Sequence, residues 1–269
     1  MSAQDTLTTL VRYMKQIRSP ESSSLKPVFW LGAGCSVYDG VPLNNDLLRQ
    51  VLPASASSWG SAQFQFDQFC DTLGPGSTRL ALLQPYMIRP LRIDSPYHGL
   101  VRLCQEGYVD LIFTFNIDNL LEQAFTAAGY REQRDYILIK VPETRSEVVR
   151  QQVTALGPRL RVIKLHGDLQ WGFNYMTSAE IARFDERIAA LVREYSQRVG
   201  VVCGYSFFHL NVLNSFSHQG GPLFYVNRSF PDTPMVLSLM ATRSQSPLFI
   251  DEALGCFEHF IPQLLQALI

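Results

Sequence analysis

The residues suited to chemistry in this chain are few, and each follows an apolar run of strand length. Gly32-Ala33-Gly34-Cys35-Ser36 follows Val28-Phe29-Trp30-Leu31, and Asn116 and Asp118 follow Asp110 to Phe115. His166 and Gly167 follow Leu160 to Leu165, Gly204 and Ser206 follow Val199 to Cys203, and Asn227 follows Pro222 to Val226. A glycine turn permits positive φ and close backbone approach, and a helix start beyond it offers free N–H groups to an anion such as phosphate. An imidazole, with an unperturbed pKa of about 6.5, suits the transfer of one proton near neutrality. A carboxamide can fix a hydroxyl or a water without itself titrating.

Each of these signals has a second reading. The glycine turn is either a phosphate cradle or an ordinary tight turn. Val37 stands where a Gly-x-Gly-x-x-Gly pattern needs its third glycine, and no Gly-Lys-Ser/Thr follows. Asn116 and Asp118 also suit capping of the helix that begins near Leu120. Cys35 reads as a small packing residue, although a helix start beside it would lower its pKa. His98, His209, His218 and His259 read as structural.

The elements that must position these residues follow from periodicity. Helical spacing runs over 4–18, from Asn44 or Asn45 through Leu52, over 95–107, from Leu120, over 145–156, and from Thr177 or Ser178 through Tyr195. A last helix is expected over Leu248–Ile269, kinked or restarted at Pro262. Apolar strands are expected at 28–31, 110–115, 136–141, 160–165, 199–203 and 222–226, with a short one at Met235–Leu239. Residues 53–96 lack strand alternation and read as a helical insertion above the sheet, or as further helices on the main core. The alternation predicts an α/β fold, a doubly wound parallel sheet, in a single domain over 1–269. In such sheets ligands bind beyond the carboxyl ends of the strands.

Bulk properties narrow the classes. The chain has 269 residues, 46% hydrophobic and 17% charged, with a net charge of −1. That balance gives no general attraction to nucleic acid or to an anionic membrane. The first residues lack a basic stretch followed by an apolar core, so no secretory signal is expected, and no apolar run is long enough to span a bilayer. Five widely spaced cysteines, at 35, 70, 104, 203 and 256, form no Cys-x-x-Cys. A reducing cytoplasm fits that usage.

Taken in order, the strand-end motifs resemble those of the sirtuin superfamily. The resemblance runs from about Val28 to the last helix. It is closest to the zinc-less sirtuin-like domains of bacterial immune proteins, with Thr114-Phe115-Asn116-Ile117-Asp118 leading into Leu120-Leu121-Glu122, then Lys164-Leu165-His166-Gly167, then Tyr175-Met176-Thr177. The departures from protein deacylases are equally marked. Between Gly167 and Gly204 only Cys203 occurs, so no four-cysteine zinc site or zinc-ribbon subdomain is expected, and no metal. Gly40-Val41-Pro42 leads into Leu43-Asn44-Asn45 rather than Asp-Phe-Arg, and Phe115 stands where deacylases have glutamine.

The resemblance implies a Rossmann-like, sirtuin-type fold and NAD as a substrate. It places Gly32, Ala33, Gly34 and Ser36 at the pyrophosphate and its neighbouring ribose. Asn116 would hold the nicotinamide-ribose hydroxyls or a water beside them, Asp118 the carboxamide, and His166 would be the base. Gly204 and Ser206 would line the phosphate side, and Asn227 the adenosine ribose. The implied activity is a NAD glycohydrolase acting in antiphage defence. A non-catalytic NAD or ADP-ribose sensor, and an ADP-ribosyltransferase or deacylase, are the alternatives. The apolar stretch Leu264 to Ile269 suggests a homo-oligomer contact or a missing sensor or ATPase module.

Overall fold

The computed structural model describes residues 1–17, 26–51, 62–74, 77–141, 144, 146–169, 177, 180, 185–207, 210–230, 234–244 and 248–269. Seven strands form one sheet: β1 (Val28–Leu31), β2 (Leu111–Thr114), β3 (Tyr136–Lys140), β4 (Leu160–Lys164), β5 (Gly200–Cys203), β6 (Leu223–Val226) and β7 (Leu248–Ile250). Their order is β3-β4-β2-β1-β5-β6-β7, and every pairing is parallel. From β1 the chain first builds outward on the β2 side and then crosses to the β5 side. The sheet is doubly wound, as expected.

Both faces are covered, which is why β1, β2, β4, β5 and β6 are buried at every position and, apart from Thr114, Arg161 and Lys164, apolar rather than alternating with polar residues. Phe29, Leu31, Ile112, Val162, Val201 and Cys203 belong to one core, with helices Ala3–Gln16, Pro96–Gln105, Leu120–Ala127 and Phe257–Leu268. Val28, Trp30, Phe113, Ile163 and Val202 belong to the other, with helices Ser146–Thr154, Glu186–Tyr195, Leu210–Ser215 and Pro234–Arg243. Trp30 stacks on Phe113 with ring centroids 4.3 Å apart.

The register brings the carboxyl ends level. Leu31 pairs with Thr114 and Cys203, Thr114 with Lys164, and Cys203 with Val226. A third apolar cluster sits beyond that edge. Leu47, Leu48, Phe66, Cys70 and Leu83, from helices Asn44–Val51, Ala62–Leu73 and Ser77–Met87, pack on Ile117 and Leu169. The inserted helices thus rest on the two loops that carry Asn116 and His166. Gln84 Nε2 also donates to Leu169 O at 3.1 Å.

Three expectations change. Met235–Leu239 is not a strand but part of the helix Pro234–Arg243, where Val236, Leu239, Met240 and Arg243 are buried at helical spacing. Leu248–Ile250 is not helical but forms edge strand β7 against β6, and the last helix begins at Phe257. A turn through Gly255 separates them; a side chain there would lie 2.1 Å from Asn227 O. The helix ending at Tyr195 starts at Glu186, capped by Asp185, whose carboxylate accepts from Arg187 N at 2.8 Å. Ser178, Ile181 and Phe184 lie outside the described residues.

In the apolar stretch near Ile269, Leu264 and Leu268 are buried in the first core and Tyr108 Oη donates to Leu268 O at 3.0 Å, whereas Ile269 is exposed.

A close backbone contact joins the turns that follow β1 and β5. Gly34 N donates to Gly204 O at 2.9 Å, and a Cβ on Gly204 (φ +59°) would lie 2.7 Å from Cys35 N. At Gly129 (φ +79°) a Cβ would meet nothing within 4 Å. G129A therefore carries only the left-handed backbone cost, about 1–2 kcal/mol. G204A adds overpacking worth roughly a further 1–3 kcal/mol. Urea unfolding of both variants should rank G204A clearly below G129A, and equal midpoints would show that the β1–β5 contact yields freely.

Candidate functional site

The sequence-predicted residues lie along one edge of the sheet in spatial order. His166 follows β4, Asn116 and Asp118 follow β2, the glycine turn follows β1, Gly204 and Ser206 follow β5, and Asn227 follows β6. His166, Asn116 and Asp118 are buried, whereas Ala33 and Ser206 are exposed.

The glycine turn differs from the expected helix start. Ala33–Cys35 is a single 3-10 turn. The N–H groups of Gly32, Gly34, Cys35 and Ser36 are donated to Cys203 O, Gly204 O, Gly32 O and Ala33 O, at 2.9 to 3.1 Å. The turn is thereby rigid and tied to β5, and Ala33 is its exposed tip. Cys35 is buried and its Sγ donates to Cys203 O at 3.2 Å. Burial pushes its thiol well up, the opposite of activation by a helix start.

Beneath the turn lies a closed polar network. Ser36 Oγ donates to Asp118 Oδ2 at 2.8 Å. That spends the one serine proton, so Asn116 Nδ2 at 3.0 Å and the Tyr97 hydroxyl at 2.9 Å fill its acceptor positions. Asn116 Nδ2 also approaches Tyr97 Oη at 3.3 Å. The orientation of the carboxamide follows: its nitrogen faces Ser36, and Oδ1 is the acceptor that remains. The asparagine backbone is held as well, with Asn116 N donating to Thr114 Oγ1 at 3.0 Å.

Asp118 does two jobs here. Its Oδ2 takes the serine proton and its Oδ1 caps Leu120 N at 3.1 Å. Burial raises its pKa despite those donors and the nearby Lys164 ammonium. Burial likewise pushes the Tyr97 phenol well up, so it stays a neutral hydroxyl.

Aromatic rings line the floor between the two halves of the site. Phe115 stacks on Tyr205 with centroids 3.8 Å apart and planes 9° from parallel. The His166 ring meets Phe115 edge-on at 5.3 Å. Asn227 is half-buried, with Nδ2 donating to Tyr225 Oη at 3.0 Å and Oδ1 accepting from Arg228 N at 2.9 Å. Thr177 is buried and pairs reciprocally with Glu180, while Tyr175, Met176 and His209 lie outside the described residues. Among the described residues no cluster of three or more His, Cys, Asp or Glu is placed to hold a metal.

Sequence reasoning missed Tyr97 and gave Lys164 and Asp168 no role. Tyr97 has a weak signal. Ser95 caps the helix Pro96–Gln105, and Asp39 just after the glycine turn accepts from Ser95 Oγ at 2.7 Å and Arg92 N at 3.0 Å. That contact sets Tyr97 under Ser36, but no local motif announces it.

Comparison with known proteins agrees with this architecture. A family model described as a SIR2-like domain matches residues 110–218, which include Asn116, His166 and Gly204. No curated protein sequence matches. Among solved structures, a mutant Sir2 homologue in complex with ADP ribose aligns over 97% of this chain and 95% of its own, with 14% identity and a TM-score of 0.50. A chain from a study of the mechanism and regulation of Sir2 enzymes aligns over 98% and 97%, with 14% identity and a TM-score of 0.48. The fold is the sirtuin-type doubly wound sheet.

The network under the turn ranks two substitutions. S36A removes the hydroxyl that both Asn116 and Asp118 use, leaving buried polar atoms short of a partner, at a cost of about 1–3 kcal/mol. Y97F leaves Ser36 bonded to both and should cost about 1 kcal/mol or less. Chemical denaturation of the two variants checks the order; a Y97F loss as large as that of S36A would mean that the phenol, not the serine, organises the network.

Proposed function

We propose that the chain is a NAD glycohydrolase that converts NAD and water to ADP-ribose, nicotinamide and a proton. The observation that carries this reading is the spatial order of the strand ends, with His166 and Asn116 on neighbouring strands β4 and β2 beside the glycine turn of β1. From β4 to β6 there are four strand spacings, about 19 Å. That span suits an extended dinucleotide, its nicotinamide ribose over β4 and β2, its pyrophosphate over β1 and β5, its adenosine over β6.

The chemistry asks little of the protein. Breaking the N-glycosidic bond expels neutral nicotinamide from a cationic ring, so the leaving group needs no acid. The transition state resembles an oxocarbenium ion. Asn116, with its nitrogen committed to Ser36, keeps Oδ1 to accept from a ribose hydroxyl or the attacking water. His166 takes the proton that the water loses, a step worth roughly 10²–10⁴ in rate. Gly32, Gly34 and Gly204 let the turns after β1 and β5 pack against each other, and the pyrophosphate lies along that joined edge, where Ala33 and Ser206 are exposed. Ser36 and Asp118, each bonded to groups within the site, hold Asn116 in its orientation.

The family model and the fold support a NAD-related site. The ADP ribose of the Sir2 homologue complex is the product half of the proposed reaction. As the finer part of this proposal, the activity serves as a cytoplasmic effector of bacterial antiphage immunity. It depletes NAD once an oligomer or a partner sensor or ATPase module releases it. Support for that part is the resemblance of the motif set to zinc-less sirtuin-like domains.

Nicotinamide release from NAD by the purified chain tests the reading. N116A and H166A should each lower it by about 10²–10⁴. A folded parent that binds NAD without releasing nicotinamide would make this a nucleotide-binding module. Variants as active as the parent would remove Asn116 and His166 from the machinery.

A further inference from the structure

Behind the site, Lys164 ends β4 with its side chain 1% exposed. Its ammonium has three protons and three acceptors: Asp118 O at 2.5 Å, Glu122 Oε1 at 2.6 Å and Asp168 Oδ2 at 2.8 Å. Asp118 and Glu122 belong to the loop and helix that follow Asn116, whereas Asp168 lies two residues beyond His166. One backbone bond runs between the same loops, from Leu169 N to Ile117 O at 2.9 Å. We propose that Lys164 is a positioning residue whose ammonium pins the Asn116 loop and the His166 loop to a single point, fixing the distance between the two reacting side chains. In its catalytic aspect this rests on the glycohydrolase reading; the tether itself does not.

Several features favour a tether over a plain charge pair. Lys140 Nζ shares Asp168 at the longer distance of 3.9 Å, whereas the Lys164 ammonium bonds two carboxylates and a carbonyl. Those acceptors come from the segments that follow Asn116 and His166. Burial opposes the charge on Lys164, yet Glu122 and Asp168 outweigh it and raise the lysine pKa above its usual value, so the ammonium persists. A lysine suits the geometry because its three donors point along separate directions, where an arginine fork would favour one planar partner.

Hydrogen–deuterium exchange of the full chain reads the tether directly. E122Q weakens the leg on the Asn116 side and D168N the leg on the His166 side. Each should speed exchange about tenfold in its own loop, residues 116–121 or 166–169, while β1 and β5 keep the parent's protection. With Lys140 also beside Asp168, the variant K140Q/K164M/E122Q/D168N is the one that removes all four charges, which separates tethering from charge neutralisation. It should loosen both loops, Leu169 N–H included, and lower kcat for nicotinamide release at least about tenfold with KM within about twofold. Unchanged exchange in both loops of the two single variants overturns the proposal, whatever the activity. Loosened loops with the parent's kcat overturn the positioning role. A parent that releases no nicotinamide overturns the glycohydrolase reading instead, and the exchange data still decide the tether.

Discussion

A parallel sheet covered on both faces can offer a ligand only its ends, and the rest of this structure depends on that constraint. The strands are apolar because helices lie against both faces. Their registers bring Leu31, Thr114, Lys164, Cys203 and Val226 level. The residues that could do chemistry therefore lie within a few positions of the carboxyl end of a buried strand. The order of sites along the edge is fixed by strand order, β4-β2-β1-β5-β6, which differs from sequence order. Residues 50 positions apart, such as Asn116 and His166, become neighbours because β4 pairs with β2.

Polar groups at such an edge are costly to bury unless they bond to one another. Two nested layers supply most of those bonds. Tyr97, Ser36, Asn116 and Asp118 exchange hydrogen bonds directly beneath the glycine turn. Below them Lys164, Glu122 and Asp168 form a buried charge cluster that reaches Asp118 through its carbonyl. A half-satisfied network would cost more than an apolar core, whereas a closed one specifies a unique arrangement. The hydroxyl of Ser36 is the hinge of the upper layer, because its single proton decides which way the Asn116 carboxamide faces.

The fold was largely legible in the sequence because strand-length apolar runs ending in Gly, Asn or His are a strong local signal. Five of the seven strands could be placed that way, and β3 by its alternation. Leu248–Ile250 could not, since three apolar residues before a helix look the same whether they start that helix or pair at a sheet edge. Pro234–Arg243 failed for a related reason. Met235 to Leu239 is apolar at every position but Ser238, and only the burial of Val236, Leu239, Met240 and Arg243 reveals the helical period. At the site, residues on strand ends were legible and their supports were not. Tyr97 arrives from a helix fixed by Asp39 and Ser95, a contact across 56 positions that no motif encodes.

Charge explains the remaining gap. In sequence Lys164 and Glu122 appear only within the motifs that carry the family resemblance, with no role of their own. Their meaning comes only from burial. In water an ammonium and a carboxylate gain little from meeting. In the interior each must find partners or lose its charge, so their presence there marks a contact that the fold cannot easily give up. The glycine turn shows the same logic at the level of the backbone. Four of its N–H groups are spent on β5 and on the turn itself. What it presents is therefore a rigid turn with Ala33 exposed at its tip rather than a row of free donors, set beside the oriented carboxamide of Asn116.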